Sequence, residues 1–197
     1  MTASVHPRTP AHGHALDLRS PLVLDTRELG RRPGAMRQVR TQFEAPDGWA
    51  LELVRVARGG TAELDVRLES VMDGVLVTGV IRVPIAAECG RCLTPVEDTI
   101  EADIQELFAY EPPETSDDEA ELPLVDGDYL DLRDVVRDAV VLALPLNPVC
   151  DEDCEGLCAG CGAPWSSLDA DHNHDTIDPR WAALADVEAT DTTKTES

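Results

Sequence analysis

Eight side chains in this sequence are of the types and spacings that bind a soft or borderline metal ion. Cys89-Gly-Arg-Cys92 is a two-residue-spaced pair. The second set is Cys150-x3-Cys154-x3-Cys158-x2-Cys161 followed by His172-x-His174. Two thiols two residues apart at a hairpin tip can bite one zinc ion through both sulfurs, and eight donors suffice for two tetrahedral sites. Cys158, Cys161, His172 and His174 read as one site made from a local segment, with Gly156, Gly160 and Gly162 supplying tight turns. Cys150 and Cys154 are then left to meet Cys89 and Cys92, with Gly90 folding the backbone between the latter two. A rival pairing joins Cys89 and Cys92 to the two histidines, and spacing leaves it open.

Other chemistries compete for the same residues. A Cys-x2-Cys pair can be a redox centre, and reduced cysteines can pack as small hydrophobes. Asp151, Glu152, Asp153 and Glu155 surround the thiols with charge, which disfavours simple burial and favours cation capture. A catalytic zinc keeps three protein ligands and an open position; complete fours rich in thiolate are the structural type. Asp169, Asp171 and Asp175 flank the histidines and keep a hydrolase as an alternative, as a Cys–His pair keeps a nucleophilic one. The chain holds no GxGxxG, GxxxxGK[ST], GxSxG or HExxH motif. His6, His12 and His14 near the N-terminus lack a rigid element to position them.

The positioning elements are legible as an α+β fold. Leu51–Arg58 and Thr61–Glu69 flank Gly59-Gly60, a hairpin signal. Leu64, Val66 and Leu68 alternate with Glu63, Asp65 and Arg67, which marks a half-buried strand. Val75, Val77, Ile81, Val83 and Ile85 predict a third strand, and Thr94 to Gln105 a fourth. The result is an antiparallel β-meander or partly open barrel. Leu132, Val135, Val136, Ala139, Val140, Ala143 and Leu144 keep the i, i+3, i+4, i+7 pattern of one main helix over the sheet. Asp131 is placed to cap that helix and Pro145 to end it. The expected organisation is a disordered lead-in (1–15), an α+β core (16–149), a Cys/His-rich segment with a closing helix (150–185) and a disordered tail (186–197).

Charge restricts the partners. Among 197 residues there are 16 basic and 39 acidic ones, a formal charge of −23, which is wrong for tracking nucleic-acid phosphates. Residues 111–128 alone hold eight carboxylates and three prolines, a solvated loop or a docking segment for a basic partner. Five arginines at 27, 31, 32, 37 and 40 form the one basic cluster, read either as ordinary surface charge or as a local RNA contact. No apolar run approaches the roughly 20 residues of a spanning helix, and the N-terminus lacks the apolar core of a signal peptide. No membrane contact, no small-molecule substrate and a cytoplasmic location are expected.

The Cys89-Gly-Arg-Cys92-Leu93 hairpin, the acidic loop, the helix ending Leu142-Ala-Leu-Pro-Leu146 and the Cys-rich tail resemble the YceD (DUF177) family of large ribosomal RNA subunit accumulation proteins. The likeness spans roughly residues 16–185 and is densest over Leu142–Gly162. Ile177–Leu184 is similar to the family's closing helix, with Asp178 as cap, Pro179 at the first helical position and Trp181 and Leu184 facing inward. One departure is His172-Asn-His174, where many relatives carry a second close cysteine pair. The resemblance implies a role in accumulation or processing of large-subunit (23S) ribosomal RNA, and the complete thiolate-rich fours make a non-enzymatic ribosome-biogenesis factor the leading expectation. The net charge then favours action through a protein partner, a large-subunit ribosomal protein or an rRNA-processing factor, with the rRNA precursor contacted indirectly. A zinc- or thiol-dependent enzyme is the alternative.

Overall fold

The computed structural model describes residues 16–112, 122–174 and 180. The expected lead-in, tail and closing helix lie outside the described residues apart from Arg180, as does the middle half of the acidic segment, 113–121. The architecture is mostly antiparallel β-sheet with one helix, an α+β class. Strands β1 (Val23–Asp25), β2 (Met36–Glu44), β3 (Val54–Val56), β4 (Thr61–Ser70), β5 (Gly74–Glu88), β6 (Pro95–Ala109) and β7 (Tyr129–Asp131) precede helix α1 (Arg133–Ala143), with a short 3-10 turn at Trp165–Ser167.

Alternation builds the sheet as the pattern requires. Ala62, Leu64, Val66 and Leu68 of β4 are buried, and so are Val75, Val77, Ile81, Val83 and Ile85 of β5. β5 and β6 pair without a break from Gly74↔Ala109 to Glu88↔Pro95, so residues 89–94 form the tip of a long hairpin. Where β5 crosses β4, a Cβ at Gly79 would lie 2.1 Å from the Asp65 carbonyl oxygen, so the close approach of the two backbones requires glycine.

Gly59-Gly60 is not the hairpin turn that its sequence suggests. β3 and β4 lie one after the other along the same edge of β5, with Val56↔Ile85 followed by Glu63↔Arg82. The two glycines interrupt one line of pairing, and Gly60 donates back to the Ala57 carbonyl at 2.9 Å. The first strand also shrinks to three residues, because Leu51 N–H turns inward to the Val54 carbonyl (2.7 Å). The neighbours of β4 are β2 and β5, and β2 carries Arg37 and Arg40 of the arginine cluster. Its inward positions Arg37, Val39, Thr41 and Phe43 are only half-buried, so no apolar periodicity marked it as a strand.

A two-stranded sheet of β1 and β7 leads into α1. The helix cap is Leu132 rather than Asp131; Asp131 sits one position earlier and its Oδ1 accepts the Arg133 N–H at 3.1 Å. Val136 and Val140 are buried, and α1 packs mainly on β6. Leu144 ends the helix with extended backbone (ψ 133°) just before Pro145. Phe108, Leu64, Leu68, Ile81, Leu130 and Leu132 are the largest fully buried side chains. Among the described residues no helix is long and apolar enough to cross a membrane. Gly79→Ala should lower stability by about 1–3 kcal/mol, measured as a shifted denaturant midpoint, since the obstructing atom belongs to backbone.

Candidate metal centres

The β5–β6 hairpin and the exit of α1 converge on the first group. Leu93 takes the left-handed conformation (φ 62°) that reverses the hairpin tip, whereas a Cβ at Gly90 would make only ordinary contacts, 3.7 Å or more. The tip therefore turns at Leu93 and not, as its composition suggests, at Gly90. Cys89 N–H donates to the Thr94 carbonyl and Leu93 N–H to the Cys89 carbonyl, both at 2.9 Å. Gly90 N–H reaches across to the Pro148 carbonyl at 2.8 Å. Arg91 Nη1 donates to the carbonyls of Glu152 and Cys154 at 2.9 Å each, so the arginine inside the Cys-x2-Cys pair ties the tail to the tip.

These ties bring Cys89, Cys92, Cys150 and Cys154 together, with all four sulfurs within 4.8 Å of one another. Cys89 and Cys154 Sγ are 3.8 Å apart and Cys92 and Cys150 Sγ 3.5 Å. Tetrahedral zinc with bonds of about 2.3 Å spaces its sulfurs about 3.8 Å apart. The cysteines are free thiols, not disulfides. Cys89 is fully buried and Cys92 is 5 % exposed, while Cys150 lies at the surface.

Electrostatics in this quartet points toward a cation. Burial pushes the Cys89 thiol up, but backbone N–H groups of Cys150, Cys92 and Arg91 outweigh it and bring it down to about 6. The Thr94 hydroxyl, 3.0 Å from Cys92 Sγ, together with the Thr94 N–H, holds Cys92 low. Contact with Cys92 pushes Cys150 up. At Cys154 the Gly156 N–H favours the thiolate, yet burial and the three neighbouring sulfurs prevail and push it up to about 12. Two sulfurs are thus disposed to ionise and two are held back by crowding. A bound dication relieves that crowding and lets all four act as thiolates.

The second group is Cys158, Cys161, His172 and His174, with donor atoms again within 4.8 Å of one another. The histidines stand here and not beside the sheet hairpin, against the rival pairing. A tight turn presents the thiols: Cys158 N–H donates to the Ala163 carbonyl at 2.8 Å and Gly162 N–H to the Cys158 carbonyl at 2.7 Å. N–H groups of Cys161 and Gly160 hold the Cys158 thiol low. Cys161 Sγ lies 3.6 Å from His172 Nε2. Gly160 is needed for space rather than for turning, because a Cβ there would come within 2.3 Å of the His174 ring. Trp165 packs edge-on against His172, with ring centroids 5.7 Å apart. This group is more open: Cys158 is buried, but Cys161 and His174 are exposed. Neither quartet includes a carboxylate.

Sequence reasoning missed three supports, Arg91, Thr94 and Trp165. The Thr two positions after a Cys-x2-Cys pair was the one local signal available; the other two act across long sequence separations or through ring packing.

A sheet hairpin tied to a helix exit through four cysteines, followed by a Cys2His2 turn, defines an α+β protein with two groups able to hold a metal. The family signature described as Large ribosomal RNA subunit accumulation protein YceD matches residues 77–188, a span that contains all eight cysteine and histidine ligand candidates. An uncharacterized protein of Mycobacterium tuberculosis (strain H37Rv) is 44 % identical over 172 residues, 85 % of this chain and 82 % of its own length. One of Mycobacterium leprae is 41 % identical over 181 residues, covering 90 % and 82 %. The Zea mays protein named Large ribosomal RNA subunit accumulation protein YCED homolog 1, chloroplastic, is 25 % identical over 181 residues, 75 % of this chain and 55 % of that one. No solved structure matches. The chain belongs to the YceD family.

The two groups should be separable. Cys92→Ser breaks a link between positions 58 and 65 residues apart, whereas Cys161→Ser opens a local turn. Each should cost the protein one metal equivalent by mass spectrometry. Cys92→Ser should lower the melting temperature by several degrees more than Cys161→Ser, because metal that binds only the folded state adds its binding free energy to stability.

Proposed function

We propose that this protein is a non-enzymatic ribosome-biogenesis factor that supports accumulation or processing of 23S ribosomal RNA through protein contacts, with zinc at both quartets as structural metal. The observation that carries the structural role of the metal is the grouping of the eight donors into two complete fours, which leaves no ligand position for a reacting water. Membership of a family named for ribosomal RNA accumulation supports the biogenesis role. Reduced thiols organised for a metal fit a reducing compartment, hence the cytoplasm.

The charge distribution supports action through a protein rather than through the RNA backbone. Of the five clustered arginines, Arg27 pairs with Asp25, Arg37 with Glu28 at 3.3 Å and Arg40 with Asp65 at 2.9 Å. Arg31 stacks over the Tyr110 ring at 4.5 Å. Such a cluster is largely committed within the molecule, while the chain as a whole carries −23. The partner is accordingly a basic large-subunit ribosomal protein or an rRNA-processing factor. The exposure of Cys161 and His174 favours, as a second reading, a zinc- or thiol-dependent enzyme at the distal group.

Capture of the tagged protein from growing cells in low salt should recover large-subunit proteins and precursors, and the yield should fall as salt shortens the Debye length from about 10 Å at 0.1 M. Replacing Asp117, Asp118, Glu119 and Glu121, which lie outside the described residues, should weaken that recovery without changing metal content. If only neutralising Arg27, Arg31, Arg32, Arg37 and Arg40 does so, the contact is with RNA. A distal group that turns over a substrate, or a fast-reacting thiol in the metal-loaded protein, would support the enzyme instead.

A further inference from the structure

Among the described residues, the outer edge of β6 is the longest stretch of strand backbone whose polar groups have no partner strand. Among the described residues β6 pairs with β5 along its length and makes no other strand contact before Ala109, which bridges to Leu124. Which groups face outward follows from β5. The Pro84 carbonyl accepts the Ala57 N–H at 2.8 Å and Glu88 N–H donates to the Leu53 carbonyl at 2.9 Å, so this parity of β5 faces β3 and β4. Thr99, opposite Pro84, therefore occupies a non-hydrogen-bonded position of the β5–β6 ladder and directs its own N–H and C=O outward. Its N–H is met by the neighbouring Asp98 Oδ1 at 2.7 Å. The register has no slip, so Glu97, Glu101, Asp103 and Gln105 direct their backbone groups to the same side, and their side chains are exposed.

Chemistry at this edge has one sign. β6 carries Glu97, Asp98, Glu101, Asp103 and Glu106 and neither Lys nor Arg. Only Glu101 has an ion pair among the described residues, with Arg82. Half-buried Val96 and Ile100 lie toward the opposite face. We propose that the β6 edge accepts a basic partner protein as an added strand, an extended segment alternating Lys or Arg with apolar residues. Main-chain hydrogen bonds give such a complex its affinity and alternate side chains its specificity. Basic side chains would stand opposite Glu97, Glu101 and Asp103, and apolar ones would cover Val96 and Ile100. Five carboxylates repel a second copy of the same edge and repel RNA phosphates, which leaves a cationic strand as the occupant. The inference rests on the reading that the protein acts through a basic protein partner.

The test uses metal-loaded full-length protein and a labelled nine-residue peptide alternating Lys and Val. The peptide should bind by fluorescence anisotropy in low salt, and amide hydrogen exchange at residues 97–105 should slow on binding. Gln105→Pro removes one outward N–H while sparing the β5 ladder and every charge, and should weaken binding about tenfold. Methylating the peptide nitrogens that face β6 should do the same with the protein unaltered, which guards against a folding defect in the variant. Glu97→Gln with Asp103→Asn should weaken binding and flatten its salt dependence. Unchanged exchange, or indifference to both Gln105→Pro and peptide methylation, would reduce the contact to plain charge attraction and overturn the proposal. Equal binding of a Glu–Val peptide, self-association through this edge, or displacement of the peptide by single-stranded RNA would overturn it as well. If the peptide binds as described but ribosomal precursors never co-purify, the ribosomal role fails and the edge stands; precursors without peptide binding fail the edge alone.

Discussion

The junction between the sheet and the C-terminal tail centres on four cysteine sulfurs held within 4.8 Å of one another. Two come from the tip of the β5–β6 hairpin and two from the segment after α1, so the quartet joins the sheet to the tail that carries the second group. Hydrogen bonds prepare that junction: the Gly90 N–H on the Pro148 carbonyl and the Arg91 guanidinium on two carbonyls bring the two segments together without help from sulfur. The sulfurs then crowd one another, with Cys89 near 6 and Cys154 near 12 as the extremes. Four neighbouring thiols are a poor packing solution and a good ligand set. A bound cation would resolve that conflict, as in sites where metal binding and folding share one free energy.

The ligand candidates and the helix were legible because both signals are local. Cys-x2-Cys, Cys-x3-Cys and His-x-His fix donors a few residues apart, and the valines at 136 and 140 repeat at helical spacing. Strands β4 to β6 were legible through alternation, although their ends extend further than the alternation does. What failed were features settled by pairing partners. Gly59-Gly60 has the composition of a hairpin turn, but β5 is long enough to pair with β3 and β4 in succession, and tertiary pairing overrode the local preference. β1 and β7 are three residues each, too short to show a period. β2 hid behind its arginines, since an outer strand needs little apolar content.

Charge is unevenly distributed along this molecule. Acidic residues concentrate on β6 and in the segment that follows it, whereas Arg27, Arg37 and Arg40 of the basic cluster form surface ion pairs with Asp25, Glu28 and Asp65. A formal charge of −23 attracts cationic groups and repels nucleic-acid phosphates. The metal groups have a different place in this division. The four-cysteine group, half of it buried, stands at the hairpin tip that leads into β6, and the Cys2His2 turn lies beyond it in the chain, more open to solvent.

The central claim is that the eight donors form one four-sulfur site and one two-sulfur, two-nitrogen site. Cadmium-113 NMR of the cadmium-substituted full-length protein tests it most directly, because the chemical shift reports the number of sulfurs bound. Two resonances are predicted, one strongly deshielded as four thiolates require and one well upfield of it. A single resonance, or two with the same mixed sulfur–nitrogen shift, would contradict the account.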